Sequence, residues 1–592
     1  PRATVIAVAP CNGRAQCSDH AAIADAVAKA VKAGGGTIRL GEGTFQLRPP
    51  ADSKAYAQIE INGARDIVLT GAPPQNGLPR TVIQFDAEPH LGAKPGLMQG
   101  LSTADGRRLL IKDLAFDWDR PLAMPGTIVN AGTTEQHFVV DDPDYYIPDP
   151  AHPPEIVIIN SYDRANRTYV FEPRGRIGFA PGKVVFNPNF ATDRTYHYVI
   201  KGQPLPNGRS VIGIARTGAV VHVGGGSQDI SFEGVHLWGG GGAGFVLGPD
   251  GRGFRITDSK IIRKPDSLLR PGEKPRFISL RGDSDARNTR GEILIESSEF
   301  AMTEDDGFNI VGATVQGADG TEIVSDSEIK FVFKAWNPFA HPWSPEDTLL
   351  LLDPATYLPV APKTALLASR TTEYDSATVT FTFRFKLAEP IPQLLAYQGR
   401  RLEELPFLAD PRYASAPYVV RNSCLRDSSG GRLVAQSGPG LIEGNTIANV
   451  GGPGIELSAN PYTWREGPGA IDVIVRNNTI VGAGYWLRDY DIFGGVEGRM
   501  TGWLAGAGIT VTALTRTGFV AKGVPNRWLQ ITGNHVINTP GLGILVAAVG
   551  NANVSDNVIV NANSVPFIAG YDSAYCGAKS RGYERTGIGQ PW

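Results

Sequence analysis

A six-residue pattern that returns between Ile256 and Ile559 constrains this chain more than any other feature. It reads Ile256-Thr-Asp-Ser259-Lys-Ile, Ile295-Glu-Ser-Ser298-Glu-Phe, Val420-Arg-Asn-Ser423-Cys-Leu, Ile442-Glu-Gly-Asn445-Thr-Ile, Val475-Arg-Asn-Asn478-Thr-Ile, Ile531-Thr-Gly-Asn534-His-Val and Val554-Ser-Asp-Asn557-Val-Ile. Apolar residues flank a turn, and the fourth position is always Ser or Asn, which can hydrogen-bond to its equivalent in the next unit. A second ladder interleaves with it: Gly244-Phe-Val-Leu, Phe277-Ile-Ser-Leu, Gly307-Phe-Asn-Ile, Gly431-Arg-Leu-Val, Gly454-Ile-Glu-Leu, Gly508-Ile-Thr-Val and Gly543-Ile-Leu-Val. Units this short cannot bury an apolar face alone and must stack. The two ladders predict an all-β chain wound into a parallel β-helix.

Composition agrees. Of 592 residues, 71 are Gly, 44 are Pro and only 19% are charged, which favours turn-rich β structure over helices. A net charge of -3 gives no electrostatic case for nucleic acid or an anionic membrane, and no apolar run reaches membrane-spanning length. Cys11 and Cys17 are close enough for a small disulfide loop, and the chain starts at Pro1, so export to a secreted or periplasmic location is expected. Cys424 and Cys576 read as buried thiols, since neither has a Cys or His at metal-ligand spacing.

Along the chain, Ser18–Lys32 predicts an Ala-rich amphipathic helix with Ser18 as N-cap and Ile23, Val27 and Val31 on one face. Gly34-Gly-Gly ends it, and Thr37-Ile-Arg-Leu and Gly43-Thr-Phe follow as short strands. This opening resembles the N-terminal cap of right-handed β-helices of the pectin-lyase type. A cap is needed there because an open coil end exposes apolar stack and free strand edge. Two Pro-rich stretches with longer alternating strands interrupt the rhythm. The expected organisation is therefore residues 1–124 as cap and first coils, 125–207 as an inserted antiparallel β-barrel-like domain, and 208–316 as central coils. A second such insert at 317–413 and last coils at 414–592, with a small insertion near 485–503, complete it.

The chemistry is expected at Met302-Thr-Glu-Asp-Asp-Gly-Phe-Asn-Ile-Val-Gly312, where Glu304, Asp305 and Asp306 stand side by side. Adjacent carboxylates repel, so a fold gains nothing by gathering them unless the site uses them; crowding raises at least one pKa, which lets one pocket hold an acid and a base. An acidic turn, solvated or holding a cation, is the plainer alternative. Coils stack about 4.8 Å apart, so residues distant in sequence align on one face. The outward column of the second ladder is expected to be Val246, Ser279, Asn309, Leu433, Glu456 and Thr510. Arg281, Asp283, Asp285, Asp305, Asp306, Asn309 and Glu456 then share one patch. Asp305 and Asp306 are the expected catalytic centre, with Asp283 or Asp285 completing it. Acid and base are not distinguished among them. Trp464, Arg465 and Glu466 form a loop able to stack on a sugar, bind its hydroxyls or supply the acid. Trp336, His341, Trp343, Tyr485, Trp486, Asp489 and Asp491 are further pocket candidates, with core packing or a solvated loop as the alternative for each.

Ser279-Leu-Arg-Gly-Asp-Ser-Asp285-Ala, Arg290-Gly-Glu-Ile-Leu-Ile-Glu-Ser-Ser-Glu-Phe300 and Glu304-Asp-Asp-Gly-Phe-Asn-Ile-Val-Gly312 together resemble the core of glycoside hydrolase family 110. Phe116-Asp-Trp-Asp-Arg-Pro-Leu122 and Tyr462-Thr-Trp-Arg-Glu-Gly-Pro468 resemble other stretches of it. The resemblance implies an exo-acting, inverting α-1,3-galactosidase on a β-helix with barrel inserts. It implies roles for Asp305, Asp306, one of Asp283 and Asp285, and Glu466. Val311 stands where that family carries histidine. The Asp-Asp pair also resembles the polygalacturonase family, whose Gly-His-Gly and Arg-Ile-Lys motifs are absent here. The expected function is a glycosidase acting on a terminal α-linked galactose or related sugar. It needs no cofactor or metal, and its partners are an oligosaccharide or polysaccharide and at most a second copy of the chain. A polysaccharide lyase with Arg281 as base, and a non-catalytic glycan-binding β-helix, are the alternatives.

Overall fold

The computed structural model describes residues 4–11, 18–49, 55–87, 98–131, 136–140, 145, 156–170, 184–185, 192, 195–198, 207–215, 217–315, 320–334, 347–362, 364–378, 380–414, 416–459, 461, 466–485, 507–513, 515 and 521–562. The backbone is a right-handed parallel β-helix. Each coil visits three parallel sheets in turn: Gln228–Glu233, His236–Leu237 and Phe245–Leu247 make one coil, and Arg252–Thr257, Lys260–Ile261 and Asp285–Arg287 the next. Among the described residues the first sheet runs from Val5–Val8 to Val549–Ser555 in 12 strands, and the second from Gly43–Gln46 to Val558–Val560 in 11.

The six-residue pattern is the corner between these two sheets. Its third residue lies in the left-handed region, with φ between 49° and 65° at Asp258, Ser297, Asn422, Gly444, Asn477, Gly533 and Asp556. Only Gly, Asn, Asp and their like enter that region at small cost, which is why no bulky or β-branched residue stands there. The fourth residue then turns inward. Ser298 Oγ accepts from Ser259 N–H (3.2 Å) and Ser423 Oγ from Ser298 N–H (3.1 Å). Asn445, Asn478, Asn534 and Asn557 follow; the first three each donate Nδ2 to the next Oδ1 at 2.9 Å, and Asn557 donates to Ile531 O at 2.8 Å. Asn478 is fully buried and also donates to Ile442 O at 3.0 Å. Asn478→Ala leaves buried partners on both neighbouring coils unsatisfied and is expected to cost about 3 kcal/mol or more. Chemical denaturation measures this, and an effect below about 1 kcal/mol means water replaces the amide.

The N-terminal helix spans His20–Lys32 and buries Ile23, Ala26, Val27 and Ala30 against the first coils. Val31, expected on that face, is 40% exposed, because Ala30 takes the inward position. Ser18 does not cap in the expected way. Its Oγ accepts weakly from His20 N–H (3.3 Å) and bonds the backbone of Arg48 instead. Cys11 and Cys424 are each held in a disulfide, which corrects the buried thiol expected at Cys424. Cys17 and Cys576 lie outside the described residues.

Two intervals leave the coil path. Between Ala123 and Ala215 the described residues form a seven-stranded antiparallel sheet whose core (Met124, Ile159, Tyr162, Ile212) packs on Phe277, Ile278, Ala301 and Met302, directly before the acidic stretch. The long strand Phe308–Val315 begins on the third sheet and runs out into a second antiparallel unit, pairing Thr314 with Ala409. That unit closes over Ala459 and Ala513 through Leu352, Tyr357 and Phe407.

Candidate active site

The site lies on the outer face of the third sheet, where strand alternation points every second side chain away from the core. The observed column is Ser102, His222, Val246, Asp285, Asn309, Val434, Glu456 and Thr510. Two expected members are corrected. Ser279 is fully buried and donates to Ala301 O; the strand of its coil begins at Asp285, six residues later. Leu433 points inward, and Val434 holds the outward position because Phe308 registers with Leu433. Gly431 thus does not match Gly307, and the ladder shifts by one residue.

The coil of Asp283 and Asp285 lies directly against the coil of Asp305, Asp306 and Asn309. Asp285 registers with Asn309, whose Nδ2 donates to Asp283 Oδ2 at 2.8 Å. The following coil clamps the acidic turn by its backbone. The N–H groups of Ser429, Gly430 and Gly431 bond the carbonyls of Thr303, Glu304 and Asp305 at 2.9–3.0 Å. A Cβ on Gly430 would stand 2.5 Å from the Asp305 carbonyl carbon, so only glycine lets the two coils approach this closely.

Within this frame the acids divide. Asp306 is held by Arg432 through Nε and, at 3.1 Å, through Nη2, while Arg432 Nη1 binds Glu456. Glu466 lies on a short strand antiparallel to Gly312–Ala313 and accepts from Arg287 Nη2 at 2.9 Å. Asp305 is partly exposed. Its carboxylate accepts the Asp306 N–H at 3.1 Å, and no other hydrogen bond or ion pair to it is present among the described residues. Glu304 is fully buried and bonded to Asn160 of the first antiparallel unit and to Ser429, so it anchors the turn and is not open to a sugar.

Burial, then the charges of Asp285 and Asp305, hold the Asp283 carboxyl well above the usual carboxylate range. Burial raises Asp285 against the pull of Arg287, and raises Asp306 and Glu456 against Arg432. Glu466 is pushed up to about 7 by burial, with Arg287 opposing. Raised carboxyls bind protons more tightly folded than unfolded, so their stabilising contribution is full at acid pH and lost as pH climbs. For Glu466 the window runs from its ordinary 4.5 to about 7. The stability difference between the protein and its Glu466→Gln variant should therefore shift toward the variant between pH 5 and pH 8, by up to about 3 kcal/mol. Melting curves of both proteins across that range check it; parallel curves would sink the assignment.

Arg287, which pairs with Asp285 and Glu466, and Arg432, which pairs with Asp306 and Glu456, were not among the expected site residues. Arg287 carries a signal in hindsight, standing at i+2 from Asp285 on the same strand face. Arg432 and Asn160 carry none. Arg281 is half-buried with its Nε unpartnered. Tyr485 is buried. Trp336, His341, Trp343, Trp464, Arg465, Trp486, Asp489 and Asp491 lie outside the described residues. Among the described residues no group of three or more His, Cys, Asp and Glu side chains can hold a metal ion.

No family model matches the sequence, and no curated protein matches it. The resemblance to glycoside hydrolase family 110 thus rests on its motifs alone. Among solved structures, the chain is similar to the A-module of mannuronan C-5 epimerase AlgE6 from Azotobacter vinelandii, at 12% identity over 93% of this chain and 96% of that one, TM-score 0.29. It is also similar to the catalytic domain of a GH87 alpha-1,3-glucanase in complex with nigerose (7%, 94% and 68%, 0.32). A third is the family 28 exopolygalacturonase of Yersinia enterocolitica (10%, 95% and 76%, 0.31). Likenesses of this size bear on neither substrate nor mechanism.

Proposed function

We propose that this protein is a glycan-active enzyme, a glycoside hydrolase that removes a terminal α-linked galactose or related sugar with inversion, working outside the cytoplasm. The observation that carries this reading is the convergence of Asp283 and Asp305 from adjacent coils, with Asp306 neutralised by Arg432 beside them. Inverting hydrolysis needs one protonated carboxyl for the leaving oxygen and one carboxylate for water, about 6.5–9.5 Å apart. The backbones of neighbouring coils are about 4.8 Å apart, and inversion requires the Asp283 and Asp305 side chains to splay from that spacing to admit the water. Asp283, whose carboxyl burial and the charges of Asp285 and Asp305 hold well above the usual carboxylate range, gives its proton to the glycosidic oxygen as the C–O bond breaks. Asp305 takes a proton from the water that adds to the anomeric carbon on the opposite face. Asp306 and Glu456 fix Arg432 between them, which holds a cation near the reacting acids without consuming Asp305. The two antiparallel units packed at Met302 and at Ala459 wall the acid face at two places, which suits a pocket for a chain end.

The test is turnover of aryl α- and β-galactosides and of a panel of galactose-containing oligosaccharides, with the anomer of the released sugar followed by proton NMR. Release of the β-anomer from α-galactosides is expected. A lyase, for which the unpartnered Arg281 Nε is the supporting observation, instead yields an unsaturated product that absorbs in the ultraviolet. Its appearance would replace the hydrolase reading.

A further inference from the structure

Cys424 and Cys11 are each held in a disulfide, and the chain has four cysteines, so the partner of Cys424 is one of three. Position along the stack eliminates two of them. Cys11 N–H donates to Asp19 Oδ1 at 2.9 Å, and Asp19 Oδ2 accepts from Gln46 N–H at 2.8 Å. Ser18, one Cα step of about 3.8 Å from Cys17, bonds the backbone of Arg48. Both cysteines thus belong beside Gly43–Gln46, the first strand of the second sheet. Cys424 opens the seventh strand of that sheet, Cys424–Ser428. Six strand spacings of about 4.8 Å separate the two places by about 29 Å. A disulfide tolerates no more than about 7 Å between Cα atoms. Cys576 is what remains for Cys424, and Cys17 for Cys11.

The chain is long enough to make that link. Val558–Val560, the eleventh strand of the sheet, lies four spacings or about 19 Å beyond Cys424. The fourteen residues from Asn563 to Cys576 reach about 46 Å when extended, ample to double back over that distance. A strip on the outer face leads the same way. Arg426, Ala448, Val481, Ile537 and Val560 register in succession from Cys424's strand to the last. Their neighbours Leu425, Ile447, Ile480 and Val536 fill the solenoid core, so these five side chains point outward. Ala448 and Val481 are 0% and 2% exposed, yet neither joins an apolar cluster of the described residues. Cys424, also outward, is 7% exposed. Four successive apolar residues on an outer face call for an apolar cover. Val565, Phe567, Ile568, Tyr571 and Tyr575 supply such side chains within the stretch that ends at Cys576.

We propose that the outer face of the second sheet is the docking surface for Asn563–Cys576, which doubles back over Ile537, Val481 and Ala448 and is stapled by a Cys424–Cys576 disulfide. The bond takes two electrons and two protons from the two thiols; a disulfide such as oxidised glutathione accepts them and leaves as two thiols. The covalent ring so closed contains Arg432, Glu456 and Glu466, and so ties the last coils to the strand that follows the acidic turn. None of this depends on what the acid face turns over.

The staple is tested on the full chain after equilibration with oxidised and reduced glutathione. Free thiols are blocked with iodoacetamide under denaturing conditions, the protein is digested without reductant, and mass spectrometry identifies the linked peptides. A Cys424–Cys576 link is expected, with Cys11 and Cys17 joined separately. Cys424 recovered alkylated, or joined to Cys11 or Cys17, would overturn the staple. Seating is measured apart from it by limited chymotrypsin digestion, for which Phe567, Tyr571 and Tyr575 are cleavage sites. Cys576→Ser, which alters no core residue, should be cut there about tenfold faster than the parent. Ile537→Asp, which sets a charge in the half-buried strip and leaves both cysteines in place, should also be cut faster. Equal cutting of the parent and Cys576→Ser, or of the parent and Ile537→Asp, would overturn the seating on this face.

Discussion

Asp305→Asn is expected to lower kcat for glycoside hydrolysis by about a thousandfold, and Asp283→Asn by about a hundredfold or more. Neither is expected to unfold the protein: Asp305 is partly exposed, and an amide at 283 mimics the protonated carboxyl that burial already favours there. The two variants should differ by substrate. An aryl galactoside with a good leaving group departs without a proton, so Asp283→Asn should recover much of its loss on such substrates. Asp305→Asn should not, since water still has to be activated. The alkaline limb of the rate profile should move as well, because it reports the loss of the Asp283 proton as pH rises. Kinetics on a leaving-group series across pH measures all three effects. Near-normal rates in Asp305→Asn, with circular dichroism unchanged, would falsify the site.

Arg432→Met should carry the largest stability loss, about 3–5 kcal/mol at pH 8, because it leaves Asp306 and Glu456 buried without their shared cation. Both carboxyls already sit above their ordinary range with Arg432 present, and burial alone pushes them further. The sign of the pH dependence follows. Folded-state pKa values above the unfolded ones give stability that is intact at acid pH and fades as pH rises through them. The deficit of Arg432→Met should therefore shrink at pH 5, where the abandoned acids take up protons. Urea denaturation at the two pH values decides it. A deficit independent of pH would mean that the variant loses packing of the arginine stem, not charge balance.

Much of the architecture was legible in the primary structure because stacked coils repeat their local needs. The left-handed corner demands Gly, Asn or Asp at one position, and the next position must supply a hydrogen-bonding side chain to the neighbouring coil. Asp258-Ser259, Gly444-Asn445 and Asn477-Asn478 satisfy both, so the pattern survives irregular spacing. The third sheet is less legible. Its strands carry no such corner, and apolar triplets such as Phe277-Ile-Ser-Leu imitate them. The true strand at Asp285–Arg287 is outwardly charged and does not look like its neighbours.

For the site, sequence alone determined that several acids gather near residue 305 and that Asp283 and Asp285 belong with them, because adjacent coils must bring successive turns together. Which acid is neutralised was decided only by the folded chain. Arg432 reaches Asp306 across 126 residues, and Arg287 reaches Glu466 across 179. Asn160 comes from an inserted sheet to draw Glu304 inward. Local sequence encodes conformational preference within a turn. The pairing of charges and the desolvation that moves their proton affinities depend on what packs over them, and that is set by coils and inserts far along the chain.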